Sequence, residues 1–294
     1  MTYEAFWHPL TTLYPAGEAK AIALMVTELK YGLTLSDLLC GRLEQTDDAE
    51  LMPIQQRLLA GEPVQYVIGT AEFGGRLFTV SPDVLIPRPE TYELCQWALQ
   101  SVADNGEARS CSPDDGSGSA VHQHPRFLDI CTGSGCIACT LAAERPDAIV
   151  TGWDISGAAL RVAAENAKRT GVNVKFELQD ALALSPVPPR AKSFNLIISN
   201  PPYICENEKV TMERNVIDYE PDIALFVPDD DPLLFYRHIA RYAAEALTTD
   251  GWLLFEINPL YADQLKAMLA ATGYSHIDLR QDQFGKTRFI RACR

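Results

Sequence analysis

The stretch Asp129-Ile130-Cys131-Thr132-Gly133-Ser134-Gly135-Cys136-Ile137-Ala138 decides the fold. It leaves an apolar segment, passes two glycines and enters a second apolar segment at helical spacing, which reads as strand, tight turn and helix. Gly133 and Gly135 let the backbone approach a ligand closely. Asp154, at the end of the next strand, can accept hydrogen bonds from a ribose diol. Together they imply a cofactor that carries adenosine. Gly133-x-Gly135-x-x-Ala138 with an acid about twenty residues on also satisfies the dinucleotide fingerprint, so this turn leaves both NAD and S-adenosylmethionine open.

Outward from that turn, strand and helix patterns alternate as in a parallel α/β sheet. Strands are expected near 126–131, 148–153, 174–178, 194–199, 251–257, 275–280 and 287–292. Helices are expected near 90–103, 136–145, 156–170, 232–248 and 259–272. Gln179-Asp180-Ala181 follows the third strand, where a carboxylate can accept from an adenine amino group and a small neighbour leaves room for the ring. The polar segment from about Asp104 to Pro125, rich in Ser, Gly and Asp, reads as a mobile surface loop whose His122 and His124 are solvated.

The run Phe194-Asn195-Leu196-Ile197-Ile198-Ser199 ends in Asn200-Pro201-Pro202-Tyr203. A strand that stops there presents a side-chain amide, carbonyls without competing proline N–H groups, and an aromatic ring at one point of a sheet edge. Such a corner suits a planar NH₂ group. Asp154, Asp180 and Asn200 all fall at carboxyl ends of strands, the edge where these sheets bind ligands. Hydride transfer has no use for the clamp, whereas methyl transfer to nitrogen does.

The N-terminal third reads differently. From Met1 to about Gly69 the pattern is helical: Ala19 to Lys30 repeats at helical spacing, Ser36-Asp37 can cap a turn, and Pro53 to Ala60 gives a short helix. His8 is taken as packed or solvated, and the module as a substrate-docking bundle. Between about Thr70 and Pro89, apolar residues alternate with Gly and Pro, as in a β-hairpin linker. The domains are thus expected at 1–70, 71–89 and 90–294.

The chain has 294 residues, 47% of them hydrophobic, enough for one large and one smaller core. Its net charge of −14 argues against affinity that comes mainly from neutralising phosphates. No signal pattern opens the chain and no apolar run reaches the length of a membrane span, so a cytoplasmic protein is expected. The 8 cysteines do not make a disulfide scaffold. Cys131, Cys136 and Cys139 match part of an iron–sulfur spacing, but without a specified fourth ligand they read as packed thiols, and no metal is expected. Asp229-Asp230-Asp231 and Tyr219-Glu220-Pro221 receive no catalytic role.

Several segments together resemble the release factor glutamine methyltransferases. They are Pro63-Val64-Gln65-Tyr66-Val67-Ile68-Gly69, Val84-Leu85-Ile86-Pro87-Arg88-Pro89-Glu90-Thr91, Asn200-Pro201-Pro202-Tyr203, Tyr219-Glu220-Pro221 with Ala224-Leu225, and Glu256-Ile257-Asn258. The resemblance covers nearly the whole chain. It implies a class I S-adenosylmethionine-dependent methyltransferase, with a Rossmann-like seven-stranded sheet, a small N-terminal helical bundle and a β-hairpin linker. The implied substrate is the glutamine of the Gly-Gly-Gln loop of peptide chain release factors, methylated on its side-chain amide nitrogen. Asn200, Pro201, Pro202 and Tyr203 would be catalytic: the Asn200 side chain and Pro201 carbonyl accept the amide N–H bonds, and Tyr203 packs on the amide plane. Cys131, Thr132, Gly133, Ser134, Gly135, Asp154, Asp180, Ala181 and Asn200 would hold S-adenosylmethionine. No membrane and no direct nucleic-acid contact is implied, and a monomer is expected.

Three positions depart from the family pattern: Cys131 where Gly is usual, Tyr92 where an acid commonly follows Glu90-Thr91, and Gly74 where an aromatic is frequent. Three other functions fit parts of the sequence: methylation of an exocyclic amino group of a nucleic-acid base, a non-catalytic module binding cofactor and release factor, and an NAD oxidoreductase.

Overall fold

Seven strands form one sheet in the order β10-β11-β9-β6-β3-β4-β5. The computed structural model describes residues 1–110, 124–184 and 193–294, without the side chains of 104–110. In chain order the elements begin with α1 (Tyr3–Trp7), α2 (Ala16–Tyr31), α3 (Leu35–Leu39), α4 (Asp48–Leu59) and α5 (Val64–Ile68). The hairpin β1 (Thr70–Phe73) and β2 (Arg76–Thr79) leads to α6 (Pro89–Ser110), β3 (Arg126–Ile130) and α7 (Cys136–Glu144). Next come β4 (Ile149–Asp154), α8 (Gly157–Thr170), β5 (Val174–Leu178) and β6 (Phe194–Ser199). Then follow β7 (Ile204–Cys205), α9 (Arg214–Tyr219), α10 (Asp222–Leu225) and β8 (Phe226–Val227). The chain ends with α11 (Leu234–Ala246), β9 (Leu247–Glu256), α12 (Ala262–Ala271), β10 (Ser275–Gln281) and β11 (Thr287–Cys293).

Two compact units emerge. The first comprises Met1–Thr70 with two returning segments, Val80–Pro82 and Met212–Glu220. Its core joins Phe6, Leu10, Ile22, Val26, Leu43, Leu51 and Leu58. Thr34 is the N-cap of α3 and Asp37 completes it: the Thr34 hydroxyl accepts from the Asp37 N–H while Asp37 Oδ2 accepts from the Thr34 N–H, a reciprocal capping box. Helix α4 starts before Pro53 because Asp47 caps it, accepting from the Ala49 N–H at 2.9 Å. Helix α9, a segment the sequence reading leaves without an element, belongs here through Tyr219, whose hydroxyl donates to Ala60 O at 2.9 Å.

The second unit holds the sheet. Strands β3, β4, β5, β6 and β9 run parallel, while β11 pairs antiparallel with both β9 and β10. The sheet is therefore mixed, not parallel throughout. The reversal follows from the short connection 282–286 between β10 and β11, which suits a hairpin and is far too short for a helical crossover. The central strands are buried on both faces, as their continuous apolar runs require.

Helix α6 continues to Ser110, so the segment expected as a loop from Asp104 is helical in its first part; the remainder of that expectation, with His122, falls outside the described residues. His124 is exposed, with Nδ1 at 2.8 Å from Asp147 O. His8 is exposed beside the Trp7 ring. The linker forms strands only over Thr70–Phe73 and Arg76–Thr79, and 80–88 carries no helix or strand. Asn166 of α8 locks this hairpin in place: Oδ1 accepts from the Thr79 N–H at 2.6 Å, and Nδ2 donates to Thr79 O and Ser134 O at 2.9 Å.

Candidate active site

Strand β6 carries Leu196, Ile197 and Ile198 with no exposed surface. Pro201 and Pro202 have no N–H to extend a ladder, so the chain leaves the sheet at Asn200. Ser199 Oγ donates to Ile130 O at 2.5 Å and ties the end of β6 to the end of β3. From β3 the chain builds outward to β4 and β5, then returns to β6 on the other side. The crevice beyond β3 and β6 is thus a topological switch point, the position at which open α/β sheets bind ligands.

The glycine turn after β3 needs left-handed backbone at three residues, with φ of 62° at Cys131, 54° at Gly133 and 76° at Gly135. A Cβ at Gly135 would lie 2.9 Å from the Ala163 Cβ of α8, so only glycine lets that helix close in. At Gly133 no atom lies within 4 Å of such a Cβ, which leaves a bare backbone face beside open space. Asp129 Oδ2 accepts from Thr132 Oγ1 at 2.5 Å and from the Ala138 N–H at 3.2 Å. Burial pushes the Asp129 carboxyl up to about 7, against those hydrogen bonds. Burial likewise raises the Cys131 thiol far above its ordinary range, so it stays protonated and is no nucleophile.

Asp154 ends β4 with Oδ2 accepting from the Gly133 N–H and Oδ1 from the Ser156 N–H, both at 2.8 Å. Burial raises its carboxyl despite these bonds. A carboxylate has about four lone-pair sites, so two remain for a ligand. Asp180 Oδ1 accepts from the Leu182 N–H at 2.8 Å, which fixes the acid after β5.

A cavity of about 230 Å³ opens at this edge. Cys131, Thr132, Gly133, Ser134, Asp154, Asp180, Ala181, Asn200 and Pro202 line it, so most of the expected site residues meet in one place. Gly135, Pro201 and Tyr203 are not among its lining residues. The bare face of Gly133, acids at two successive strand ends, and the small Ala181 fit a cofactor with adenosine, whose diol and amino group need acceptors and whose ring needs an apolar slot.

Behind Asn200 lies a buried polar network. Asn200 Nδ2 donates to Thr91 Oγ1 at 3.3 Å, and Thr91 Oγ1 donates to Glu256 Oε2 at 2.6 Å. The Tyr203 hydroxyl donates to Glu256 Oε1 at 3.0 Å. Burial raises the Glu256 carboxyl, while the two hydroxyl donors and the charge of Arg288 oppose the shift. Burial and then Glu256 raise the Tyr203 hydroxyl. Asn258 Nδ2 donates to Tyr203 O at 3.2 Å and holds the backbone after the clamp.

Thr91 and Glu256 carry no individual role in the sequence reading, although both fall in its resembling segments. Position alone could have marked them: Thr91 opens a helix and Glu256 ends a strand, at the same sheet edge as Asn200. Pro221 and Ala224, also in the lining, fall in one of the resembling segments, whereas Ile223 and Phe235 had no signal of their own. Cys136 and Cys139 lie buried in α7 within an apolar cluster. Among the described residues no group of His, Cys, Asp and Glu is arranged to hold a metal ion. Asp229 Oδ1 accepts from the Asn207 N–H at 2.9 Å and Asp231 pairs with Arg237, so these acids brace their own loop.

Residues 119–218 match the Methyltransferase small domain family. The release factor glutamine methyltransferase of Bacteroides thetaiotaomicron is 41% identical over 288 residues, 97% of this chain and 96% of that protein. The protein of the same description from Flavobacterium psychrophilum is 33% identical, over 97% of this chain and 95% of its own. Among solved structures, the hMettl16 catalytic domain in complex with a MAT2A 3′UTR hairpin superposes with a TM-score of 0.53 at 14% identity, over 73% of each chain, a likeness of fold alone. With 41% identity sustained across nearly its full length, and with the glycine turn and the Asn-Pro-Pro-Tyr corner at one sheet edge, the chain belongs to the release factor glutamine methyltransferase family.

Proposed function

We propose that this protein methylates the side-chain amide nitrogen of the glutamine in the Gly-Gly-Gln motif of peptide chain release factors, with S-adenosylmethionine as methyl donor. The observation that supports this most directly is the placement of Asn200 in the lining of the same cavity as Gly133, Asp154 and Asp180. When bound, S-adenosylmethionine supplies a methyl group already activated on a sulfonium, and Gly133, Asp154, Asp180 and Ala181 would hold it.

An amide nitrogen is a poor nucleophile because its lone pair is delocalised into the carbonyl, so the residues here contribute alignment in place of a strong base. Asn200 Oδ1 and the Pro201 carbonyl accept the two N–H bonds of the substrate amide, fix the nitrogen and favour positive charge on it. Pro202 and Tyr203 shape the corner around them. Because the Asn200 carboxamide does not take up a proton, the proton lost from the substrate nitrogen would leave to water.

The same reading has residues 1–70 dock the release factor and the protein act in the cytoplasm as a monomer without direct nucleic-acid contact. The net charge of −14 supports a protein partner over a phosphate backbone. No helix among the described residues is long and apolar enough to cross a membrane.

The test incubates purified protein with methyl-labelled S-adenosylmethionine and release factor carrying either glutamine or alanine in the loop, with RNA and DNA in parallel reactions. Label in the glutamine form alone is expected. Label in nucleic acid, or in the alanine form, would sink the proposal, and absence of label in every reaction would favour the non-catalytic module.

A further inference from the structure

The reading of Asn200 as an acceptor leaves one question open that the buried network answers. A carboxamide has two ends: turned one way it offers oxygen to the substrate N–H bonds, turned the other it offers N–H against N–H. Only the first orientation can serve, so something must fix it.

Glu256 has no exposed side available to solvent, being 2% exposed in all. As a carboxylate it is an acceptor at both oxygens. Its Oε2 therefore takes the Thr91 hydroxyl proton, at 2.6 Å, and its Oε1 takes the Tyr203 hydroxyl proton, at 3.0 Å. With its one proton committed, Thr91 Oγ1 faces Asn200 at 3.3 Å as an acceptor, which only the Nδ2 end of Asn200 can satisfy. Oδ1 is then the end left for the cavity. We infer that Glu256, acting through Thr91, is the positioning residue that sets the polarity of the Asn200 clamp.

The same carboxylate joins three elements: α6 supplies Thr91, the turn after β6 supplies Asn200 and Tyr203, and β9 supplies Glu256 itself. Burial raises the Glu256 carboxyl, while the Thr91 and Tyr203 hydroxyls and then the charge of Arg288 favour its ionised form. Tyr236 donates its hydroxyl to Glu256 O at 3.1 Å and fixes the backbone at the end of β9. Neither Glu256 nor Tyr236 lines the cavity, so the effect on substrate is indirect.

The test uses the full chain with Thr91→Val, Thr91→Ser, Glu256→Gln and Asn200→Ala. Four quantities are measured: kcat and KM for release factor, Kd for S-adenosylhomocysteine, and melting temperature. Thr91→Val keeps the side-chain shape but removes the hydroxyl, and is expected to lower kcat by about 30-fold or more, less than the roughly 10² for losing the aligned group itself because Thr91 acts through Asn200. Its Kd is expected to stay within about threefold of the parent: Thr91 lines the cavity, but its hydroxyl is committed to Glu256 and Asn200. Thr91→Ser, which restores the hydroxyl, is expected to recover kcat to within about threefold. Glu256→Gln is expected to lower kcat by about fivefold or more at unchanged Kd, because only one of its two amide orientations keeps Thr91 Oγ1 an acceptor. Loss of kcat in Asn200→Ala with parent-like kcat in Thr91→Val or Glu256→Gln would overturn the inference. So would equal loss in Thr91→Val and Thr91→Ser, or loss of cofactor binding and melting temperature in step with kcat, since a merely structural role gives those patterns. Parent-like kcat in Asn200→Ala would instead overturn the underlying reading of the clamp.

Discussion

The ring of Tyr92 fills the space that a side chain at Gly74 would occupy. A Cβ built on Gly74 would lie 2.3 Å from Tyr92 Cε2, closer than such contacts occur, and the ring meets Phe73 edge-on at 5.6 Å between centroids. Two positions that look unrelated in sequence are therefore in direct contact: the aromatic ring at this corner comes from α6 and lies over the glycine of the hairpin.

That contact makes Gly74→Ala costly. The ring must move, and φ of +58° disfavours any side chain, so about 2–4 kcal/mol of destabilisation is expected from overpacking and the left-handed backbone together. In the double variant Gly74→Ala with Tyr92→Ala the overpacking disappears, and a coupling of about 1 kcal/mol or more is expected. Urea unfolding of the four proteins measures it, and simple additivity would refute the contact.

Replacing Asn200 by alanine removes the acceptor proposed for the substrate amide. Turnover is expected to fall by about 10² or more, the size typical of one aligned group, and affinity for S-adenosylhomocysteine to fall far less. Steady-state kinetics with calorimetric titration separates the two, and unchanged turnover would remove Asn200 from this role.

Asp154 behaves oppositely. Its two backbone acceptor bonds shape the glycine turn, and its remaining lone pairs face the cavity. Asp154→Ala is expected to weaken S-adenosylhomocysteine binding by at least about tenfold, the loss of a hydrogen bond to a charged group. Calorimetry with parent-like affinity would place the cofactor elsewhere.

The fully buried Asp129 predicts a pH dependence of stability. Its carboxyl titrates at about 7 in the fold against an ordinary 3.8. The folded state thus holds a proton that the unfolded chain has lost, and stability falls as pH rises through that window and levels above it. Asp129→Asn cannot ionise, so its stability relative to the parent is expected to rise by about 1.4 kcal/mol per pH unit between about pH 5 and 7. Denaturant melts at several pH values give the slope, and a constant difference would mean that Asp129 ionises normally.

The sequence by itself determined the seven sheet strands, the glycine turn and the Asn-Pro-Pro-Tyr corner, because each rests on local chemistry: apolar runs long enough for a buried strand, glycines where φ is positive, prolines without N–H groups. Cys131 shows how far this reaches, since a cysteine at φ of 62° gives no local warning of its conformation. Tertiary structure alone decided the rest. The reversed direction of β11, the contact of the Tyr92 ring with Gly74, and the convergence of Thr91, Asn200, Tyr203 and Glu256 all join residues far apart in the chain. Thr91 and Glu256 are 165 positions apart yet share a 2.6 Å hydrogen bond. No periodicity or motif spacing encodes such a pairing, because what fixes it is the closure of separate elements around a buried carboxylate that must find donors.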